Sequence, residues 1–81
     1  MKKLIIGNNV RKQRFLKNEM TQKDLAKAAS ISRQTIIAIE KGQYSPTLEL
    51  CFKLSIIFET PIDQIFFVEE IDGVKMEKNN E

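Results

Sequence analysis

The feature that most constrains the fold is a pair of helix start signals separated by very few residues. Thr21 and Asp24 have the spacing of a capping box, in which a hydroxyl and a carboxylate each accept a backbone N–H. Apolar residues then follow at helical spacing from Leu25, and Ser32 can cap a second helix. Only residues 30–31 remain to connect the two helices. So short a connection predicts two helices that cross steeply.

Further start and stop signals predict five helices in total and an all-α fold class. A cap at Asn8 or Asn9 can open the first helix, and Gly42 is placed to end the third. The fourth can begin at Thr47, or at Ser45 with a proline in the first helical position. The helices other than the capping-box pair are predicted over residues 10–17, 47–58 and 61–66.

The two ends of the chain carry signals for β-structure. Residues 3–6 are apolar and partly β-branched, so they can form a short strand or a tail that docks on the core. Asp72-Gly73 lies among β-branched residues, as in a two-residue hairpin turn. A lone hairpin is marginal in water, so a frayed acidic tail is the competing interpretation unless residues 3–6 pair with it. The predicted division is an arm or short strand (1–7), a helical domain (8–67) and a hairpin or tail (68–81), with residues 78–81 disordered.

Charge is distributed unevenly along the chain. Residues 1–45 hold ten Lys and Arg against three acids, a balance of +7. Residues 46–81 hold three Lys against eight acids, a balance of −5, and the two halves sum to the net charge of +2. A basic half beside an acidic half suggests one face that meets a polyanion and another kept away from it. The alternative is a chance distribution over a solvated surface.

The composition argues against catalysis. The chain has no His and one Cys, which removes the usual general bases, thiolate relays and soft-metal ligands. The three glycines are scattered, so no Gly-rich loop can hold a phosphate-containing cofactor. We therefore expect neither enzyme activity nor a cofactor. Cys51, without a disulfide partner, is interpreted as a small apolar residue, and the lack of a long apolar stretch predicts a soluble, cytoplasmic chain.

Two segments, Thr21–Ala26 and Ser32–Gly42, together resemble the Cro/CI-type (XRE-like) helix-turn-helix regulators. The loop after Gly42 and the segment 58–66 are also similar to that family, so the resemblance covers about residues 8–67. It implies a five-helix repressor-like domain that binds DNA. The chain departs from the family pattern twice: Ser30 stands where glycine is frequent, and the segment before Thr21 is one residue longer than the commonest form.

The third helix carries the residues expected to read DNA. A recognition helix reads base edges with its N-terminal residues, and arginine and glutamine can form two-point contacts with guanine and adenine. The predicted base contacts are Arg33, Gln34, Thr35 and Ala38. The predicted phosphate contacts are Gln22 and Ser32, which the resemblance implies, together with Lys41 and Tyr44, which follow the third helix.

Some of these residues have alternative interpretations. Ser32 caps a helix whether or not DNA is bound, and Tyr44 can be a loop residue that packs against the chain. Ile37 is either beside the base-reading edge or partly in the core. Glu40 is expected to face inward and to pair with Arg14, so we interpret it as structural.

The predicted function is a sequence-specific double-stranded DNA-binding transcriptional regulator, a repressor acting as a homodimer on a palindromic operator. A dimer is expected because a chain this small cannot bury all of its apolar residues. The predicted dimer contacts are Phe52, Ile56, Phe66, Phe67 and Val68. The alternative function is a protein-interaction adaptor or antitoxin-type module on the same fold. No membrane partner is expected.

Overall fold

A computed structural model describes residues 3–76, and these residues form eight secondary-structure elements. Five are helices and three are strands. In chain order they are β1 (Leu4–Asn8), α1 (Val10–Leu16), α2 (Gln22–Ala29), α3 (Arg33–Glu40), α4 (Leu48–Phe58), α5 (Ile62–Ile65), β2 (Phe66–Ile71) and β3 (Val74–Lys75).

Local hydrogen bonds fix the steep crossing of α2 and α3. The Thr21 hydroxyl accepts from the Asp24 N–H at 2.9 Å, and the Asp24 carboxylate accepts from the Thr21 N–H at 3.3 Å, so the predicted capping box is present. Helix α2 ends because Ser30 adopts the left-handed conformation (φ 58°, ψ 44°), a position where glycine is usual. Ser32 then caps α3 through its hydroxyl, which accepts from the Thr35 N–H at 3.1 Å.

The buried core joins all five helices. The largest fully buried side chains come from α1, α2, α3, α4 and α5, so each helix contributes its apolar stripe to one cluster. These side chains are Val10, Leu25, Ile36, Ile39, Leu54 and Ile65. Because α3 buries Ile36 and Ile39, its opposite face is left toward solvent.

The fold class is confirmed only in part: the five helices are present, but the two ends of the chain form a small antiparallel sheet, so the fold is not strictly all-α. The strand order is β1-β2-β3, and β1 pairs with β2 from Leu4 opposite Ile71 to Asn8 opposite Phe66. The predicted hairpin joins β2 and β3, and its two central residues have the positive φ angles that the turn requires, 50° at Asp72 and 84° at Gly73. The sheet forms because β1 supplies the third strand that a lone hairpin lacks.

Several boundaries differ from those predicted. Helix α5 ends at Ile65, because Phe66 takes an extended conformation (φ −123°, ψ 142°) and begins β2. Residues 66 and 67 therefore lie in β2. Thr60, two residues before α5, donates its hydroxyl to the Phe58 carbonyl at 2.9 Å, and no side chain of the described residues caps α5. The disorder predicted for residues 78–81 lies outside the described residues.

Candidate nucleic-acid interface

A buried ion pair sets the position of α3 against α1. The Arg14 guanidinium donates to the Glu40 carboxylate through Nε at 2.7 Å and through Nη2 at 3.2 Å, and both side chains are only 9% exposed. Arg14 also donates to the Met20 carbonyl at 2.8 Å, and Gln22 donates to Glu40 at 3.1 Å. The predicted pairing of Glu40 with Arg14 is confirmed. These four hydrogen bonds use three acceptor atoms and join α1, α2 and α3, so the three helices are held in one arrangement.

The first turn of α3 is presented to solvent. Arg33 and Gln34 are exposed, on the side away from Ile36. Thr35 and Ala38 are half-buried, and the Thr35 hydroxyl lies 2.9 Å from that of Ser32. The two long side chains of this turn are therefore free to reach outward, whereas Thr35 is held close to the helix cap.

The N-terminus of α2 lies beside the first turn of α3. Arg33 borders the same open depression, of about 490 Å³, as Thr21, Gln22 and Lys23. Within residues 3–76, neither Lys23 nor Arg33 has a carboxylate partner, because the ion pairs of this part of the chain involve Arg14, Lys17 and Lys53. The depression between the two helix starts is therefore bordered by two cations that no ion pair among the described residues neutralises.

The predicted phosphate contacts are distributed along both ends of α3. Gln22 and Ser32 lie at the starts of α2 and α3, and each already makes a bond within the chain, Gln22 to Glu40 and Ser32 to the Thr35 N–H. Lys41 directly follows the last residue of α3 as its C-cap and is exposed. The next residue, Gly42, has a φ of 74°, so the helix stop predicted at Gly42 is present.

Tyr44 lies where the loop after α3 approaches β1. It is exposed to a substantial extent and borders a small pocket of about 160 Å³ with Ile5, Ile6 and Pro46. The side chain of Asn8, the last residue of β1, donates to the Ile39 carbonyl at 2.9 Å and so connects this end of α3 to the sheet. Tyr44 thus has apolar neighbours within the chain in addition to its exposed surface.

The residues predicted to form the dimer contact differ in how far they are exposed. Phe52 and Ile56 on α4 are 53% and 74% exposed. Leu48, one turn earlier, is 70% exposed and extends them into an apolar stripe. Leu48 was not among the dimer contacts predicted from the sequence. Phe66 packs against the core, and the Phe67 ring lies close to Gly7. Val68 is exposed on β2. Phe66 and Phe67 therefore have packing roles within the chain.

Sequence reasoning also missed Arg11 and Phe15, which lie beside α3. They are four residues apart on α1, and the Arg11 guanidinium carbon is 5.5 Å from the centroid of the Phe15 ring. The i, i+4 spacing was visible in the sequence and predicts this contact once the helix is assigned.

A helix-turn-helix family profile matches residues 11–65, well over half of the chain. The chain belongs to the helix-turn-helix family. This match, together with relatives named HTH-type transcriptional regulators, confirms the resemblance to the Cro/CI-type regulators. Proteins of this family are DNA-binding transcriptional regulators and typically not enzymes.

Several curated helix-turn-helix proteins are similar over most of their own length. An uncharacterized HTH-type transcriptional regulator of Methanocaldococcus jannaschii is 51% identical over 63 residues, which cover 78% of this chain and 94% of that protein. One from Methanothermobacter thermautotrophicus is 44% identical over 57 residues (69% and 81%). A third, YgzD of Bacillus subtilis, is 38% identical over 50 residues (62% and 76%).

Other kinds of site find no support in the part of the chain described. Among residues 3–76, no three His, Cys, Asp or Glu side chains are grouped as metal ligands would be. None of the helices in this range has the length and apolar character needed to cross a bilayer. Burial raises the pKa of the Cys51 thiol, which disfavours the reactive thiolate.

Proposed function

We propose that this chain is a sequence-specific double-stranded DNA-binding regulator that acts in the cytoplasm as a repressor. The observation that carries the proposal is the exposed first turn of α3, where Arg33 and Gln34 point outward beside Lys23 of α2. The names of its relatives, HTH-type transcriptional regulators, support the same function.

In this proposal the N-terminal half of α3 enters the major groove. Arg33 donates two hydrogen bonds to guanine O6 and N7, and Gln34 pairs with N6 and N7 of adenine at a neighbouring position. Ala38, and Thr35 through its methyl group, lie on the same helix and can contact a thymine methyl. The ion pair of Arg14 with Glu40 supports base reading indirectly, because it fixes α3 before DNA arrives.

Phosphate contacts on either side of the groove set the orientation of α3. Gln22 and Ser32 offer polar groups and helix N-terminal N–H groups on one side, and Lys41 and Tyr44 offer a cation and a hydroxyl near the other end of α3. Such contacts can form on a duplex of any sequence, because every duplex has the same phosphates, and they fix the register in which Arg33 meets the bases.

The chain is further proposed to bind a palindromic operator as a homodimer. The exposed stripe of Leu48, Phe52 and Ile56, with Val68 on the sheet, supports the dimer, because a chain of this size gains stability by covering such a surface. A two-fold dimer would place its two α3 helices about 34 Å apart, one turn of DNA. Repression would follow from occupation of the operator.

The same apolar stripe is what favours the second candidate function. A protein-interaction adaptor or antitoxin-type module would use Leu48, Phe52 and Ile56 to bind a different protein and would need no DNA. In that case the uncompensated cations on α2 and α3 would have no role.

Selection of bound duplexes from a random pool, followed by affinity measurements at several salt concentrations, tests the proposal. We expect an enriched sequence with two-fold symmetry and an affinity that falls steeply with salt, since phosphate contacts release counterions. Lys41→Ala should weaken binding to all duplexes equally and reduce the salt slope by about 1 per subunit. If no duplex sequence is enriched and the chain shows no salt-dependent binding to DNA, the adaptor function is favoured.

A further inference from the structure

A groove between α1 and α3 combines an aromatic ring with two cations. It is open, has a volume of about 410 Å³, and is bordered by Arg11 and Phe15 on α1 and by Ile37 and Lys41 on the α3 side. Arg14, Gln22 and Glu40 complete its lining. The groove therefore runs along the side of the proposed recognition helix.

The only carboxylate in the lining of this groove is already neutralised. Glu40 accepts from Arg14 through both of its oxygens, and its Oε1 also accepts from Gln22. Arg11 and Lys41 have no carboxylate partner within residues 3–76. The groove thus has two positive charges that no acid on this part of the chain balances.

Phe15 explains how Arg11 is held. The ring is 52% exposed, and the guanidinium carbons of Arg11 and Arg14 lie 5.5 Å and 5.6 Å from its centroid. Arg14 is fixed by Glu40, so the ring contacts one guanidinium that is held in place and one, that of Arg11, that has no ion-pair partner in the described part of the chain. A cation–π contact of this kind restricts the guanidinium while leaving its N–H groups available to an acceptor.

We propose that Arg11, held on Phe15 and acting with Lys41, binds a phosphate of the DNA backbone beside α3. The inference rests on the proposed DNA binding and deepens it by adding a contact on α1. Planar guanidinium groups suit phosphate oxygens, and two cations bordering one groove suit the negative charge of a backbone phosphodiester better than a neutral ligand. The contact carries no sequence information and sets the position of α3 in the groove.

The test compares Arg11→Gln with Lys12→Gln on a labelled duplex of random sequence. Lys12 is exposed and lies about 100° further round α1, so the control removes the same charge from a different face. We expect Arg11→Gln to weaken binding about tenfold and to lower the salt slope by about 1 per subunit, with little change for Lys12→Gln. Phe15→Leu should weaken binding about two- to fivefold, since it removes the ring but retains the charge.

The outcomes separate this inference from the function on which it rests. If the unsubstituted chain binds duplexes with a steep salt slope and Arg11→Gln behaves as Lys12→Gln, the phosphate contact at Arg11 is wrong while DNA binding stands. If the unsubstituted chain shows no salt-dependent binding, the proposed function fails. Inorganic phosphate, followed by NMR of the Arg11 and Lys41 amides, provides the second arm. Saturation at millimolar phosphate, lost in Arg11→Gln without any change in DNA binding, would assign the groove to a free phosphorylated ligand and overturn the proposal.

Discussion

Replacing Glu40 by glutamine should destabilise the fold strongly, although the change in shape is small. Arg14 is 9% exposed, and its Nε and Nη2 groups lie 2.7 Å and 3.2 Å from the two Glu40 oxygens. Glu40→Gln removes the negative charge and turns one acceptor into a donor, which leaves the guanidinium buried without a counter-charge. Breaking a buried pair from one side costs about 3–5 kcal/mol. A domain of this length has a free energy of unfolding of only about 4–12 kcal/mol, so the loss is a large fraction.

Urea denaturation followed by circular dichroism measures this loss. We expect Glu40→Gln to lower the free energy of unfolding by about 3 kcal/mol or more, and the melting temperature by about 12–24 °C. The matched control is the double variant Arg14→Met with Glu40→Leu, which removes both charges together and should recover at least half of the loss. A single variant that loses less than about 1 kcal/mol would show that this pair does not hold α3 in place.

Three further predictions concern other parts of the chain. Ser30→Gly should stabilise the fold by about 0.5–1 kcal/mol, because glycine adopts the left-handed conformation without cost, and thermal melting with Ser30→Ala as the comparison tests this. The hydrogen bond from Lys17 lowers the pKa of the exposed Glu59. The contribution of this ion pair to the stability of the fold is therefore present at pH values above the ordinary carboxylate pKa and is lost as the pH falls through the lowered pKa. The difference in melting temperature between the unsubstituted chain and Glu59→Gln should therefore shrink in acid. A difference that stays the same at every pH would contradict a stabilising role for this ion pair. Phe52→Glu with Ile56→Glu should give a folded monomer by sedimentation, whereas an unchanged assembly would place the dimer contact elsewhere.

Local chemistry explains which features could be predicted from the sequence. The capping box of Thr21 and Asp24, the cap at Ser32 and the turn at Asp72-Gly73 each depend on residues a few positions apart, and all are present. The pairing of Arg14 with Glu40 was predictable because both residues fall on the inward faces of their helices. These signals need no knowledge of how distant segments meet.

The features that the sequence did not reveal depend on contacts between distant segments. Residues 3–6 alone indicate either a strand or a docked tail, and the pairing of β1 with β2 decides between them. The same pairing draws Phe66 into an extended conformation and shortens α5. Leu48 was missed in the exposed stripe because the outer face of α4 is nearly as apolar as its buried face, so periodicity does not separate the two.

Base reading by the first turn of α3 is tested by one comparison of affinities. The unsubstituted chain and Arg33→Ala are each measured on a selected duplex and on a random duplex at the same salt concentration. We expect a loss of about 1–3 kcal/mol per half-site on the selected duplex, little loss on the random one and an unchanged melting temperature, with the preference relaxed at one guanine. Gln34→Ala should act in the same way at a neighbouring position, and Lys75→Ala on β3 should change neither affinity. An equal loss on both duplexes would make Arg33 a phosphate contact and contradict the base-reading role assigned to α3.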